Sequence, residues 1–74
     1  MGLNETVQRG DCGETVSFIQ ERLTVLGFAV TADGQFGPGT EQAVKDFQTS
    51  RALTADGVVG EATWAALVEG GIGD

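Results

Sequence analysis

The chain contains no histidine and no tyrosine, one cysteine (Cys12), one proline (Pro38) and only four basic residues. Each shortage closes a functional class. Without histidine, and with a single thiol, neither a zinc site of ordinary ligands nor a Ser-His or Cys-His nucleophile pair can be assembled within the chain. Four Lys and Arg against eleven Asp and Glu give a formal charge of −7, so nucleic-acid backbones and anionic membrane leaflets find no basic stripe to hold them. No apolar run approaches the ~18 residues of a membrane span, which argues against membrane insertion. No basic-then-apolar leader opens at Met1-Gly2, so an exported protein would carry its signal outside these residues. At 74 residues the chain makes one small domain, burying only about 60% of the surface its unfolded form exposes.

Glycine is what the chain has in excess. Twelve residues are more than twice ordinary usage, and they recur in a pattern. Asp33-Gly34-Gln35-Phe36-Gly37-Pro38-Gly39-Thr40, followed by Ala43 and Val44, returns 23 positions later as Asp56-Gly57-Val58-Val59-Gly60-Glu61-Ala62-Thr63, followed by Ala66 and Leu67. A fainter copy lies upstream, with Gly10, Gly13, Val16 and Ile19 in the places of Gly34, Gly37, Thr40 and Ala43. The chain is therefore three copies of one unit, a glycine-punctuated turn feeding a helix.

Periodicity places the helices. Val16, Ile19, Leu23 and Leu26 form a stripe on one helical face, with Glu14 in the first turn and Gly27 as the stop. Pro38 suits the first turn of a second helix, whose buried face is Ala43, Val44 and Phe47 and whose end lies near Arg51. A short third helix covers 61–68. The two Asp-Gly pairs predict turns in which glycine takes a positive φ and the aspartate bonds nearby backbone N–H groups. Phe28, Val30 and Val58 cover the core edge from extended connections. The expected fold is all-α, a compact three-helix bundle with Asp-Gly turn loops and almost no strand. Residues 1–8 are a lead-in, 9–68 the domain, and 69–74 a flexible tail.

Three ordered runs carry a resemblance. R-G-x-x-G-x-x-V-x-x-I-Q-x-x-L-x-x-L-G (Arg9 to Gly27), A-D-G-Q-F-G-P-G-T-E-Q-A-V-K-D-F-Q (Ala32 to Gln48) and A-L-T-A-D-G-V-V-G-E-A-T-W-A-A-L (Ala52 to Leu67) resemble the peptidoglycan-binding domain family of bacterial cell-wall hydrolases. From Arg9 to Leu67 the resemblance spans about four-fifths of the chain. It implies a three-helix module that binds peptidoglycan or muropeptides without doing chemistry, fused to or associated with a hydrolase, and located outside the cytoplasm. A related domain occurs in matrix metalloproteinase propeptides, where wall binding is not the role. There a cysteine follows the bundle, whereas Cys12 precedes the first helix, so that role does not carry over. No cofactor is implied, and a monomer is expected.

Candidate residues divide between structural and functional tasks. Asp33 and Asp56 are the acids in matched positions, but a glycosidase pair must flank its bond about 5–10 Å apart inside a cleft. A bundle of this size has little room for one, and each aspartate already has a task in its turn. No catalytic residue is assigned, and no acid begins a calcium-loop series, so no metal site is assigned either. Cys12 reads as a loop thiol, half-buried, without a partner. Phe47 and Trp64 belong to the core, while Phe36 suits either core or a sugar face. Gln20 and Gln48 suit either tying a loop to a helix or reading a ligand amide.

The expected ligand site is a shallow groove beside the Asp33–Thr40 loop, built from Asp33, Gly34, Gln35, Phe36, Gly37 and Thr40. Gly60 and Thr63 form its other wall. Helix N-termini there offer N–H groups to peptide carbonyls and carboxylates, although Thr40 and Thr63 can equally be helix-start residues bonding backbone. The charge of −7 opposes attraction to anionic wall polymers, so binding would be local recognition at the groove. The alternative reading is a protein-interaction or regulatory module on the same bundle.

Overall fold

A computed structural model describes residues 6–69. Its elements are α1 (Glu14–Val25), α2 (Pro38–Ser50) and α3 (Glu61–Glu69), and among the described residues the only β pairing is two isolated bridges. The all-α bundle is as expected. Glu69 closes α3, and the tail expected beyond it lies outside the described residues.

The apolar stripes converge on one core. Val16, Ile19 and Leu23 of α1 meet Val44 and Phe47 of α2 and Leu67 of α3, all essentially inaccessible to solvent. Burying a side chain of this size contributes roughly 1.5–3 kcal/mol. Phe28 meets the Phe47 ring edge-on, with centroids 5.8 Å apart. Trp64 is buried and stacks on the partly exposed Phe18 at 6.0 Å. Phe36, open to two readings in the sequence, is a core residue only 3% exposed. Across the bundle, Arg22 of α1 donates from Nε to the Leu67 carbonyl of α3 at 3.1 Å.

The segment before α1 does more than lead in. Val7 is buried and exchanges two backbone hydrogen bonds with Val59, at 3.1 and 2.7 Å. Farther along, Gly10 N–H donates to the Phe36 carbonyl, Phe36 N–H to Asp11, and Gly13 N–H to Gly34. Residues 7–13 thus strap both Asp-Gly loops to the bundle. Sequence alone could not place Val7, because one valine between Thr6 and Gln8 has no period. Cys12, expected to be half-buried, is exposed on this strap.

The ends of α1 and α2 follow one scheme. After α1, Phe28 N–H returns to the Leu23 carbonyl and Gly27 N–H to Thr24, a Schellman closure with Gly27 at φ 102°. After α2, Leu53 N–H returns to Gln48 and Ala52 N–H to Thr49 in the same pattern, but the left-handed position is held by Ala52 at φ 61°. A Cβ in this region is disfavoured by about 1–2 kcal/mol. Ala52→Gly is therefore expected to stabilise the domain by about 0.5–1 kcal/mol after glycine's own entropic cost, raising the thermal midpoint by about 2–8 °C. Thermal unfolding followed by circular dichroism checks this, and a lowered midpoint would contradict it.

Candidate functional site: twin grooves held by buried glutamines

The two Asp-Gly loops are built alike, each around a glutamine from the preceding helix. Gln20 is fully buried; its Nε2 lies 3.1 Å from Asp33 Oδ1, 3.0 Å from the Gln35 carbonyl and 3.0 Å from Thr40 Oγ1. Its Oε1 accepts from Gly34 N–H at 2.9 Å. Gln48 repeats this with Asp56 Oδ1, the Val58 carbonyl and Thr63 Oγ1 at 3.1, 2.9 and 3.1 Å, while Gly57 N–H donates to Oε1 at 3.0 Å. Each amide shares two N–H groups among three acceptors. No buried side-chain N or O among the described residues lacks a partner. Both glutamines are thus loop ties, with the amide oxygen and nitrogen of each engaged within the domain. The threonine hydroxyls serve the same ties, accepting from glutamine rather than capping backbone.

Each aspartate closes its own turn. Asp33 Oδ1 accepts from Gln35 N–H at 3.0 Å, and Asp56 Oδ1 from Val58 N–H at 2.9 Å. The backbone bond from Gln35, aided by Gln20, holds the Asp33 carboxyl below the ordinary value of 3.8. The bond from Val58, aided by Gln48, does the same for Asp56 against a smaller opposing effect of burial. The glycines that follow sit at φ 77° and 76°. A Cβ on Gly57 would come 2.9 Å from Glu41 Cγ, so glycine is required there by backbone and by space.

The ties hold open two separate grooves rather than one. The first is lined by Ala29, Val30, Thr31 and Asp33 from the α1–α2 connection and by Gln35, Gly37, Pro38, Gly39 and Thr40 entering α2, with a volume of about 440 Å³. The second, about 450 Å³, is lined by Ala52, Leu53, Thr54, Asp56 and Val58, by the α3 start from Gly60 to Thr63, and by Gln48 and Thr6. Of the predicted site residues, Asp33, Gln35, Gly37 and Thr40 meet at the first groove. Gly60 and Thr63 belong to the second, not to a facing wall of the first. Phe36 is turned into the core and Gly34 has its N–H committed to Gln20, so neither lines a groove. The sequence reading missed Ala29, Val30 and Thr31. Their signal was an upstream extension of the repeat, Ala29-Val30-Thr31-Ala32-Asp33-Gly34 against Ala52-Leu53-Thr54-Ala55-Asp56-Gly57.

The first intrahelical bond of α2 is Glu41 N–H to the Gly37 carbonyl, so the amides of Gly39 and Thr40, both residues of the groove lining, precede the helical ladder. No group of three or more His, Cys, Asp or Glu is placed to hold a metal among the described residues. No helix among them is long and apolar enough to cross a membrane.

These features define a class, a small helical repeat domain whose glutamine-tied loops shape surface grooves. The chain belongs to the family described as "Putative peptidoglycan binding domain", whose model matches residues 12–67. It is 42% identical over 67 residues to the zinc D-Ala-D-Ala carboxypeptidase of Streptomyces albus G, covering 86% of this chain and 26% of that protein. It is equally identical to a spore cortex-lytic enzyme of Bacillus cereus, over 89% of this chain and 26% of the enzyme. The chain thus spans about a quarter of the length of these relatives. Among solved structures, the SleB N-terminal domain superposes with a TM-score of 0.88 at 40% identity, covering 92% of this chain and 94% of that one. A peptidoglycan-binding protein from Clostridioides difficile, in complex with glutamine hydroxamate, gives 0.87 at 39% identity over 90% of this chain and 42% of its own.

Two outcomes test the ties. Gln20→Ala strands several polar groups at once, each costing about 1–3 kcal/mol if left unpaired, and is expected to destabilise by about 2–4 kcal/mol in urea unfolding. A loss under 1 kcal/mol would show that water replaces the tie. For pH, Asp33 and Asp56 hold protons less tightly folded than unfolded, so the stability they confer is complete above the ordinary carboxylate value and is lost as pH falls through the lowered folded ones. Unfolding midpoints are expected to fall below pH of about 4, and less steeply in an Asp33→Asn, Asp56→Asn double variant. An equally steep fall in that variant would assign acid sensitivity elsewhere.

Proposed function

We propose that the chain is a noncatalytic module that binds bacterial cell-wall peptidoglycan through the groove at the start of α2, and that it holds a linked or associated hydrolase on the wall. The observation that carries this reading is the groove itself. Gly39 and Thr40 amides offer donors, the exposed Gln35 and Asp33 offer acceptors, and Val30 and Pro38 offer apolar contact. That mixture suits an amide-rich stem peptide, and its size lies within the usual range for small-ligand sites.

The matched carboxylates support a binding role over a catalytic one, since each is tied by its own turn. Relatives named as a zinc D-Ala-D-Ala carboxypeptidase and a spore cortex-lytic enzyme, each about four times the matched length, support a module carried beside a catalytic unit. On this reading the domain works outside the cytoplasm as a monomer, with peptidoglycan or muropeptides as its partner.

The test is sedimentation with purified sacculi, paired with NMR titration by soluble muropeptides. The wild-type chain is expected to pellet with sacculi and to show saturable amide shifts over 37–40. Thr31→Arg, at an exposed lining position, is expected to remove those shifts while leaving the fold intact. No pelleting and no shifts would overturn the reading. A saturable complex with a purified protein partner, indifferent to wall fragments, would favour an interaction module instead.

A further inference from the structure

The second groove is the first one rebuilt. Displaced by 23 positions, all nine residues lining the first groove fall on residues lining the second, and five of the nine are identical: Ala, Thr, Asp, Gly and Thr. The two volumes agree within about 10 Å³, and a buried glutamine with the same four bonds stands behind each. Of the four positions at which the linings differ, two change chemistry. Gln35 is replaced by Val58, and Pro38 by Glu61. The first groove therefore carries one carboxylate, Asp33, whereas the second carries two, Asp56 and Glu61. The bonds that Asp56 accepts from Gln48 and Val58 both fall on Oδ1, which leaves Oδ2 for a ligand.

We propose that the groove at the start of α3 is a second peptide site, that it selects a stem-peptide segment carrying a free primary amine, and that the domain grips the wall polymer at two points. This rests on the reading of the first groove as a wall-peptide site. The amine follows from the two carboxylates in the lining, Asp56 and Glu61, on a chain of charge −7; they favour a cation and repel the free carboxylate of a peptide end. Val58 and Leu53 add apolar contact for the aliphatic stem beneath such an amine. Two modest sites on one chain raise apparent affinity for a repeating polymer without any new contact, provided both can be engaged together.

The experiment titrates the 15N-labelled chain with a disaccharide tetrapeptide bearing a free side-chain amine, and with the same probe after N-acetylation. The expected result is two probe molecules per chain and shifts in two sets, over 37–40 and over 60–63. Thr54→Arg is expected to remove only the second set, and Thr31→Arg only the first. The retained set also reports that each variant is folded. Acetylation, or Glu61→Gln, is expected to weaken the second site by about three- to fivefold, the scale of an exposed ion pair, and to leave the first unchanged. One molecule per chain with shifts confined to 37–40 overturns the second site and leaves the proposed function standing. Second-set shifts indifferent to acetylation overturn the choice of an amine. No shifts in either set, with no pelleting on sacculi, overturn the proposed function itself.

Discussion

The buried glutamine tie is the interaction on which the rest of the structure depends. An uncharged amide is suited to it because one end donates and the other accepts, so a single side chain can satisfy an aspartate, two backbone groups and a threonine at once. Burial makes the arrangement demanding. An unpaired polar group in a low dielectric costs more than the bond it lost was worth, so all four partners must be in place together. That requirement couples the end of one unit to the start of the next helix. It substitutes for hydrophobic area in a chain too short to have much of it.

The ties also explain why glycine is concentrated where it is. An Asp-Gly turn brings the Gly34 and Gly57 amides onto the glutamine carbonyl oxygen only with φ near 77°, a region where a Cβ is strained. The strap of residues 7–13 then pins both loops from outside, through Val59 in one case and Phe36 in the other. Each loop is thus held from both sides, by the glutamine within and by the strap without. The same groove appears twice because the whole unit, turn, tie and helix start, is repeated.

Family membership is secure on the match over 67 residues and on superposition with solved relatives. The family and the site bear on different questions. Membership speaks to the kind of polymer such chains are named for, whereas the lining of the grooves speaks to how this chain would hold it. A net charge of −7 argues against adhesion by bulk attraction to anionic polymer. The grooves themselves differ in charge, the first lined by one carboxylate and the second by two.

Much of this was legible in order along the chain. The stripes Val16–Ile19–Leu23 and Ala43–Val44–Phe47, Pro38 at a helix start, Gly27 at a helix end and the two Asp-Gly turns each depend on neighbours within about four residues, and local chemistry shows in sequence. The repeat of 23 positions showed that one unit is used more than once. What had no local signal was decided by packing. Val7 has a partner 52 positions away in Val59; Ala52 takes a glycine's conformation because α2 must end there; Phe36 turns inward because the strap holds its backbone. Above all, Gly60 and Thr63 could not be assigned to a groove from sequence. A repeat states that two units are alike but not whether they face each other across one cleft or stand apart. Only the three-dimensional placement of α2 and α3 around the shared core separates them, because each tie orients its loop against its own helix rather than against its copy.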